Sequence, residues 1–218
     1  MAKREQICVI GLGKFGFYLG KSLIEMGHEV MGLDGDEEKV KNAQDVLSQT
    51  FRLDATDKQA LEQVNAGEMS HVVVSVGHSM EASILITLYL KELGAPNVAV
   101  KAVSDDHEKL LRKIGADMVF IPERYAARQL AHKLVKPGLI EFLPMDSEAA
   151  IQEVAVDAWH DKTLRELDLT NKSRVQVIAR KNVSEDAYSY IPRADDPLSK
   201  GDKLILVGRE DKLNDLDP

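Results

Sequence analysis

The chain has 218 residues, with 28 Lys and Arg against 36 Asp and Glu, so it carries a formal net charge of −8 at neutral pH and disfavours a nucleic-acid partner. Its 44% hydrophobic and 29% charged residues are the make-up of a globular chain, and no apolar run reaches the length of a membrane span. A single cysteine excludes an intrachain disulfide, six scattered histidines offer no zinc-ligand spacing, and no signal-like stretch follows Met1, so a cytoplasmic address is expected.

The first apolar run, Gln6 to Ile10, reads as a strand with Cys8 as a small buried residue inside it. It leads into Gly11-Leu12-Gly13-Lys14-Phe15-Gly16, the spacing of a dinucleotide cradle. Gly11 permits the tight turn, Gly13 lets backbone approach a pyrophosphate, and Gly16 lets the following helix pack on the strand, so that free N–H groups at the helix start face phosphate. Phe15, Leu19, Leu23 and Met26 give that helix its period, and a second strand, Glu29 to Leu33, ends on Asp34. An acid at this position accepts hydrogen bonds from both ribose hydroxyls and repels a 2′-phosphate. Lys14 opposes the helix dipole, which costs about 0.3 to 1 kcal/mol unless an anion such as a terminal phosphate sits there.

Further runs at residues 50–54, 71–76, 97–102 and 118–121 alternate with helical patterns, and the valine-rich ones show little alternation, as expected when helices cover both faces of a parallel sheet. A doubly wound α/β domain with right-handed crossovers is predicted over residues 1–136, its last helix opening at Pro122 and running to Val135. Pro137-Gly138 breaks the pattern. From there to residue 218, short alternating runs punctuated by Asp, Asn, Gly and Pro predict a small α+β domain, in keeping with about 150 residues per large domain.

A nucleotide cradle alone suggests a dehydrogenase, but the catalytic groups are missing. No tyrosine is followed four residues later by lysine, there is no glycine elbow around a serine, and Gly16 to Ser22 is one residue short of a phosphate-binding P-loop. No enzymatic activity is therefore expected.

In order along the chain, GLGKFG, MGHEVMGLDGDEEKV, VVVSVGHSMEAS, VKAVSDDHEKLLRKIGAD, PERYA and the later LSKGDKL resemble the cytoplasmic subunits of bacterial Ktr-type potassium transporters, which carry the RCK (regulator of potassium conductance) module. The resemblance covers nearly the whole chain. It implies a subunit that senses ATP and ADP, assembles through dimers into an octameric ring, and gates a membrane potassium-translocating partner at the inner face of the membrane. It also implies ligand contacts at Gly11, Gly13, Lys14, Phe15, Gly16, Asp34, Gly35, Asp36, Asp54, Ala55, Val76, Gly77, His78, Lys101, His107 and Glu123, the last through a bridging Mg²⁺ or Na⁺. Lys101 needs a phosphate or carboxylate partner, and Asp105 or Asp106 would serve as well. Lys14 stands where the family commonly has arginine, so a point-charge contact is expected in place of a bidentate one. An NAD(H)-binding redox sensor of the same architecture, and an NAD-dependent oxidoreductase, remain the alternatives.

Overall fold

The computed structural model describes residues 4–77, 79–135, 139–144 and 148–218, and they divide into two units, Met1–Pro122 and Glu123–Pro218. In the first unit the strands are β1 (Gln6–Ile10), β2 (Glu29–Asp34), β3 (Gln49–Arg52), β4 (His71–Val74), β5 (Val98–Lys101) and β6 (Met118–Phe120). They form one parallel sheet in the order β3-β2-β1-β4-β5-β6. The doubly wound arrangement read from the sequence is what forms, and the order reverses between β1 and β4. The central strands are buried on both faces: Cys8, Val9, Val30, Leu33, Val72, Val74, Val98 and Val100 are fully enclosed. That is why their sequences run apolar without alternation.

The intervening helices are α1 (Lys14–Glu25), α2 (Glu37–Gln44), α3 (Lys58–Gln63), α4 (Met80–Glu92) and α5 (Asp105–Lys113). Most start on short polar side chains that take up the orphan N–H groups of the first turn. Asp36 accepts from Glu38 N, Asp57 from Gln59 N, Ser79 from Ala82 N and Ser104 from His107 N. Helix α1 is the exception: its cap is Gly13, no side chain caps it, and its first turn holds no acid. Its first N–H groups are thus left for something else.

The second unit opens with α6 (Pro122–Val135), followed by an antiparallel sheet in the order β10-β9-β11-β8-β7. These strands are β7 (Leu139–Pro144), β8 (Ala149–Ala155), β9 (Gln176–Lys181), β10 (Ser189–Tyr190) and β11 (Lys203–Arg209). Burial alternates along β8 and over the first residues of β9 and β11, the period-2 signature of a sheet with one covered face. That face packs Val154, Trp159, Val175, Leu198, Leu204, Leu206 and Leu213 into the unit's core. The sequence reading ended the first domain after the helix, at residue 136, whereas the division falls ahead of it. Arg128 and His132 of α6 approach the Glu210 carboxylate at 2.8 and 3.5 Å, which binds the helix to its own unit.

Candidate functional site

At the carboxyl ends of β1 to β4 lies a cleft of about 760 Å³, straddling the point where the strand order reverses. Open α/β sheets bind ligands at this position because the loops on either side of the reversal diverge. Gly11 and Gly13 form its floor. Gly11 has φ +93°, and a Cβ there would sit 2.7 Å from the Ser75 carbonyl oxygen, so only glycine fits. A Cβ on Gly16 would fall 1.9 Å from the Gly11 oxygen, which is how closely α1 packs on the turn. At Gly13 nothing lies within 4 Å of an added Cβ, so this position is open toward the cleft.

Asp34 stands at the end of β2 with its side chain 11% exposed. Its Oδ2 accepts from Leu12 N at 2.7 Å and its Oδ1 from Asp36 N at 2.9 Å, fixing the plane of the carboxylate beside the glycine turn. Asp54 follows β3, and the Thr56 hydroxyl and then the Thr56 N–H hold its carboxyl below the usual range.

Of the residues proposed from the sequence, the cleft brings together Gly11, Gly13, Asp34, Gly35, Asp54, Ala55, Val76 and Gly77. The Lys101 ammonium lies 3.9 Å from where a Gly77 Cβ would be, so it borders the same wall. Lys14 is exposed on the first turn of α1, Gly16 is buried beneath that turn, and Asp36 is exposed as the cap of α2. Phe15 turns its ring toward Phe120, with centroids 5.3 Å apart. Glu123 is exposed at the start of α6 in the second unit, and His78 lies outside the described residues. Among the described residues, no three His, Cys, Asp or Glu side chains converge where a metal could sit.

His107 is turned into the fold and does not line the cleft. It is 1% exposed, Val103 N donates to its Nδ1 at 3.3 Å, and its Nε2 lies 2.8 Å from the Ser83 hydroxyl, which donates on to the Met80 carbonyl. An Nδ1 that accepts leaves the proton on Nε2, so the ring is a neutral link between α4 and the turn before α5. Burial lowers its pKa below the ordinary 6.5. The unfolded chain therefore takes up a proton near pH 6.5 while the folded one does not, so stability is complete above that pH and falls as pH drops through it. Melting curves between pH 7.5 and 5.5 should show this loss, and His107→Gln, which cannot titrate, should flatten that part of the profile.

The cleft is also lined by Lys39, Arg52, Leu53, Thr56, Ser75, Ser79, Ala82 and Ile86, none of which was among the ligand contacts expected from the sequence. The rule that ligands lie beyond strand ends could have found Arg52 and Ser75, which end or follow β3 and β4. Lys39 and Ile86 are helical positions whose place in the cleft depends on how each helix is rotated.

The TrkA-N domain family matches residues 7–122 and the TrkA-C domain family residues 151–218. The chain is 37% identical over 206 residues to Ktr system potassium uptake protein C of Bacillus subtilis (strain 168), covering 94% of this chain and 92% of that one. It is 35% identical over 210 residues to Ktr system potassium uptake protein A of Vibrio alginolyticus, covering 96% and 94%. Among solved structures, the GsuK channel bound to NAD has a similar fold, with a TM-score of 0.68 at 16% identity, over 97% of this chain and 38% of that one.

Proposed function

This chain belongs to the Ktr-type potassium-uptake family, its sequence comprising a TrkA-N domain followed by a TrkA-C domain, and from that premise we propose that it is a nucleotide-sensing regulatory subunit, not an enzyme, that gates a separate potassium-translocating membrane protein. The observation that carries the reading is the Asp34 carboxylate, pinned by two backbone N–H groups beside an uncapped helix start at the strand-order reversal. Ribose hydroxyls bind Asp34, the diphosphate lies over Gly11 and Gly13 at the start of α1, and the base lies toward Leu53 to Ala55. A channel of similar fold has been solved bound to NAD, in keeping with a nucleotide ligand for this chain.

ATP and ADP are the ligands we favour over NAD and NADH, because Lys14 places a cation on a helix start that disfavours one unless a further phosphate is present. Mg²⁺ or Na⁺ would neutralise the phosphates. Since no ready cluster of protein donors exists among the described residues, phosphate oxygens and water would supply most of its coordination. A third phosphate then favours one conformation of the assembly over another by differential binding, and the membrane partner responds.

We take the subunit to assemble through dimers into an octameric ring, and α6 offers an apolar face for self-association. None of its residues is buried, and it exposes Tyr125, Leu130, Leu134 and Val135. Among the described residues no helix is long and apolar enough to cross a membrane; the family membership supports a cytoplasmic subunit held at the membrane by its partner.

Melting the protein with ATP, ADP, NAD and NADH tests the reading. A ligand at one hundred times its dissociation constant should add about 2.7 kcal/mol of stability. No shift with any of the four would overturn it. In the same assay Lys14→Ala should weaken ATP far more than ADP, and an equal loss would remove Lys14 from the terminal-phosphate role.

A further inference from the structure

The turn that carries Asp34 crowds four carboxylates, Asp34, Asp36, Glu37 and Glu38, into the end of β2 and the start of α2. Three cations hold it, of which Lys41 pairs with Glu37 Oε1 at 2.7 Å within α2; the other two, Lys39 and Arg52, come from different elements. The Lys39 ammonium, in the first turn of α2, lies 3.6 Å from Asp34 Oδ2 and 3.9 Å from Asp36 Oδ2, bridging the two acids. Arg52, the last residue of the edge strand β3 and the register partner of Asp34, donates from Nε to the Gly35 carbonyl at 3.3 Å and from Nη1 to Glu37 Oε2 at 3.0 Å. Both residues line the cleft.

We propose that Lys39 and Arg52 are positioning residues for Asp34, and that through it they set the cleft's preference for an adenine nucleotide with free 2′ and 3′ ribose hydroxyls. The inference rests on the nucleotide reading given above. Leu12 N and Asp36 N orient the carboxylate, Lys39 relieves its repulsion from Asp36, and Arg52 keeps the turn's backbone from swinging outward under the same repulsion. The lone pairs left on Asp34 accept hydroxyl donors. A 2′-phosphate would instead meet the Asp34 carboxylate, with three more acids on the same turn and their cations already engaged, so the same brace that favours a diol excludes a phosphorylated ribose.

Titration calorimetry of the full chain with ADP and with 2′,3′-dideoxy-ADP tests this. The unsubstituted protein should prefer ADP by roughly tenfold or more, as expected for hydroxyls donating to a carboxylate. Lys39→Met and Arg52→Met should each reduce that preference, read as the ratio of the two affinities, to about threefold or less, and Lys39→Arg should restore it. A role confined to folding would weaken both ligands alike, and an undiminished preference in both methionine variants overturns the inference while leaving the nucleotide reading intact. If the unsubstituted chain binds neither ligand, the nucleotide reading itself fails and this inference falls with it.

Discussion

Gly16→Ala should destabilise the N-terminal unit by at least about 3 kcal/mol, because the added methyl lands 1.9 Å from the Gly11 carbonyl oxygen and 3.3 Å from Val9 Cγ1. Overpacked cores usually recover part of such a cost by rotating a side chain, but here the first obstacle is backbone. That backbone is itself fixed: Gly11 N donates to Leu33 O at 2.8 Å, and Gly11 sits at φ +93° against the Ser75 carbonyl. Moving α1 outward would break the cleft floor, and moving the turn would break the contact with β4. Set against a total stability of roughly 5 to 15 kcal/mol, this loss leaves a unit that is marginal or unfolded. Gly13→Ala is the matched control. Its methyl meets nothing within 4 Å, so the melting temperature should stay close to that of the unsubstituted chain. Nucleotide affinity should fall by roughly tenfold or more, since the methyl occupies the space a diphosphate needs. Thermal melting with and without ADP separates the two. Were Gly13→Ala the more destabilising substitution, the roles assigned to the two glycines would be reversed.

The contrast explains how much of the site could be read before the fold was known. A strand buried on both faces leaves an uninterrupted apolar run, and the glycine spacing after β1 is set by local geometry, so β1, its turn and α1 were all legible from neighbouring residues. Asp34 was legible for the same reason, as a polar residue ending an apolar run. Lys39 and Arg52 were not. Each is an ordinary charged residue in its own segment, and only the pairing of β2 with β3 brings Arg52 beside Gly35 and Glu37. His107 was expected near the ligand only through the family resemblance. Its ring direction depends on Ser83, which approaches from another helix and has no sequence signal linking it to residue 107. The position of α6 was a similar case: its apolar spacing fits packing on its own sheet or on a partner, and the ion pair with Glu210 lies far along the chain.

Asp202→Ala should cost the C-terminal unit about 3 to 5 kcal/mol, the range for removing one partner of a buried ion pair. Asp202 is fully buried. Its Oδ2 accepts from Arg180 Nη2 at 2.6 Å, Arg180 Nε at 2.9 Å and Ser199 N at 3.0 Å, and its Oδ1 accepts from Val183 N at 3.0 Å. Arg180, with its side chain only 12% exposed, also donates to the Pro197 carbonyl at 2.7 Å. One carboxylate thus ties the end of β9, the loop after it and the turn into β11. Alanine leaves a largely buried guanidinium without its counter-charge and two part-buried backbone N–H groups without their acceptor. Trp159 makes the measurement selective, since it is the chain's single tryptophan and lies in this unit's core. Urea unfolding followed by its fluorescence should show a lower midpoint with an unchanged slope. The pairing of Arg165 with Asp195 has comparable geometry, but both side chains are about 70% exposed, so Asp195→Ala should leave the midpoint where it is. Replacing Arg180 and Asp202 together with Met and Leu should recover part of the loss but not all of it. The charge is then gone, while the N–H groups of Val183 and Ser199 still lack an acceptor. Full recovery would mean that the uncompensated charge, and not the backbone donors, accounts for the whole effect.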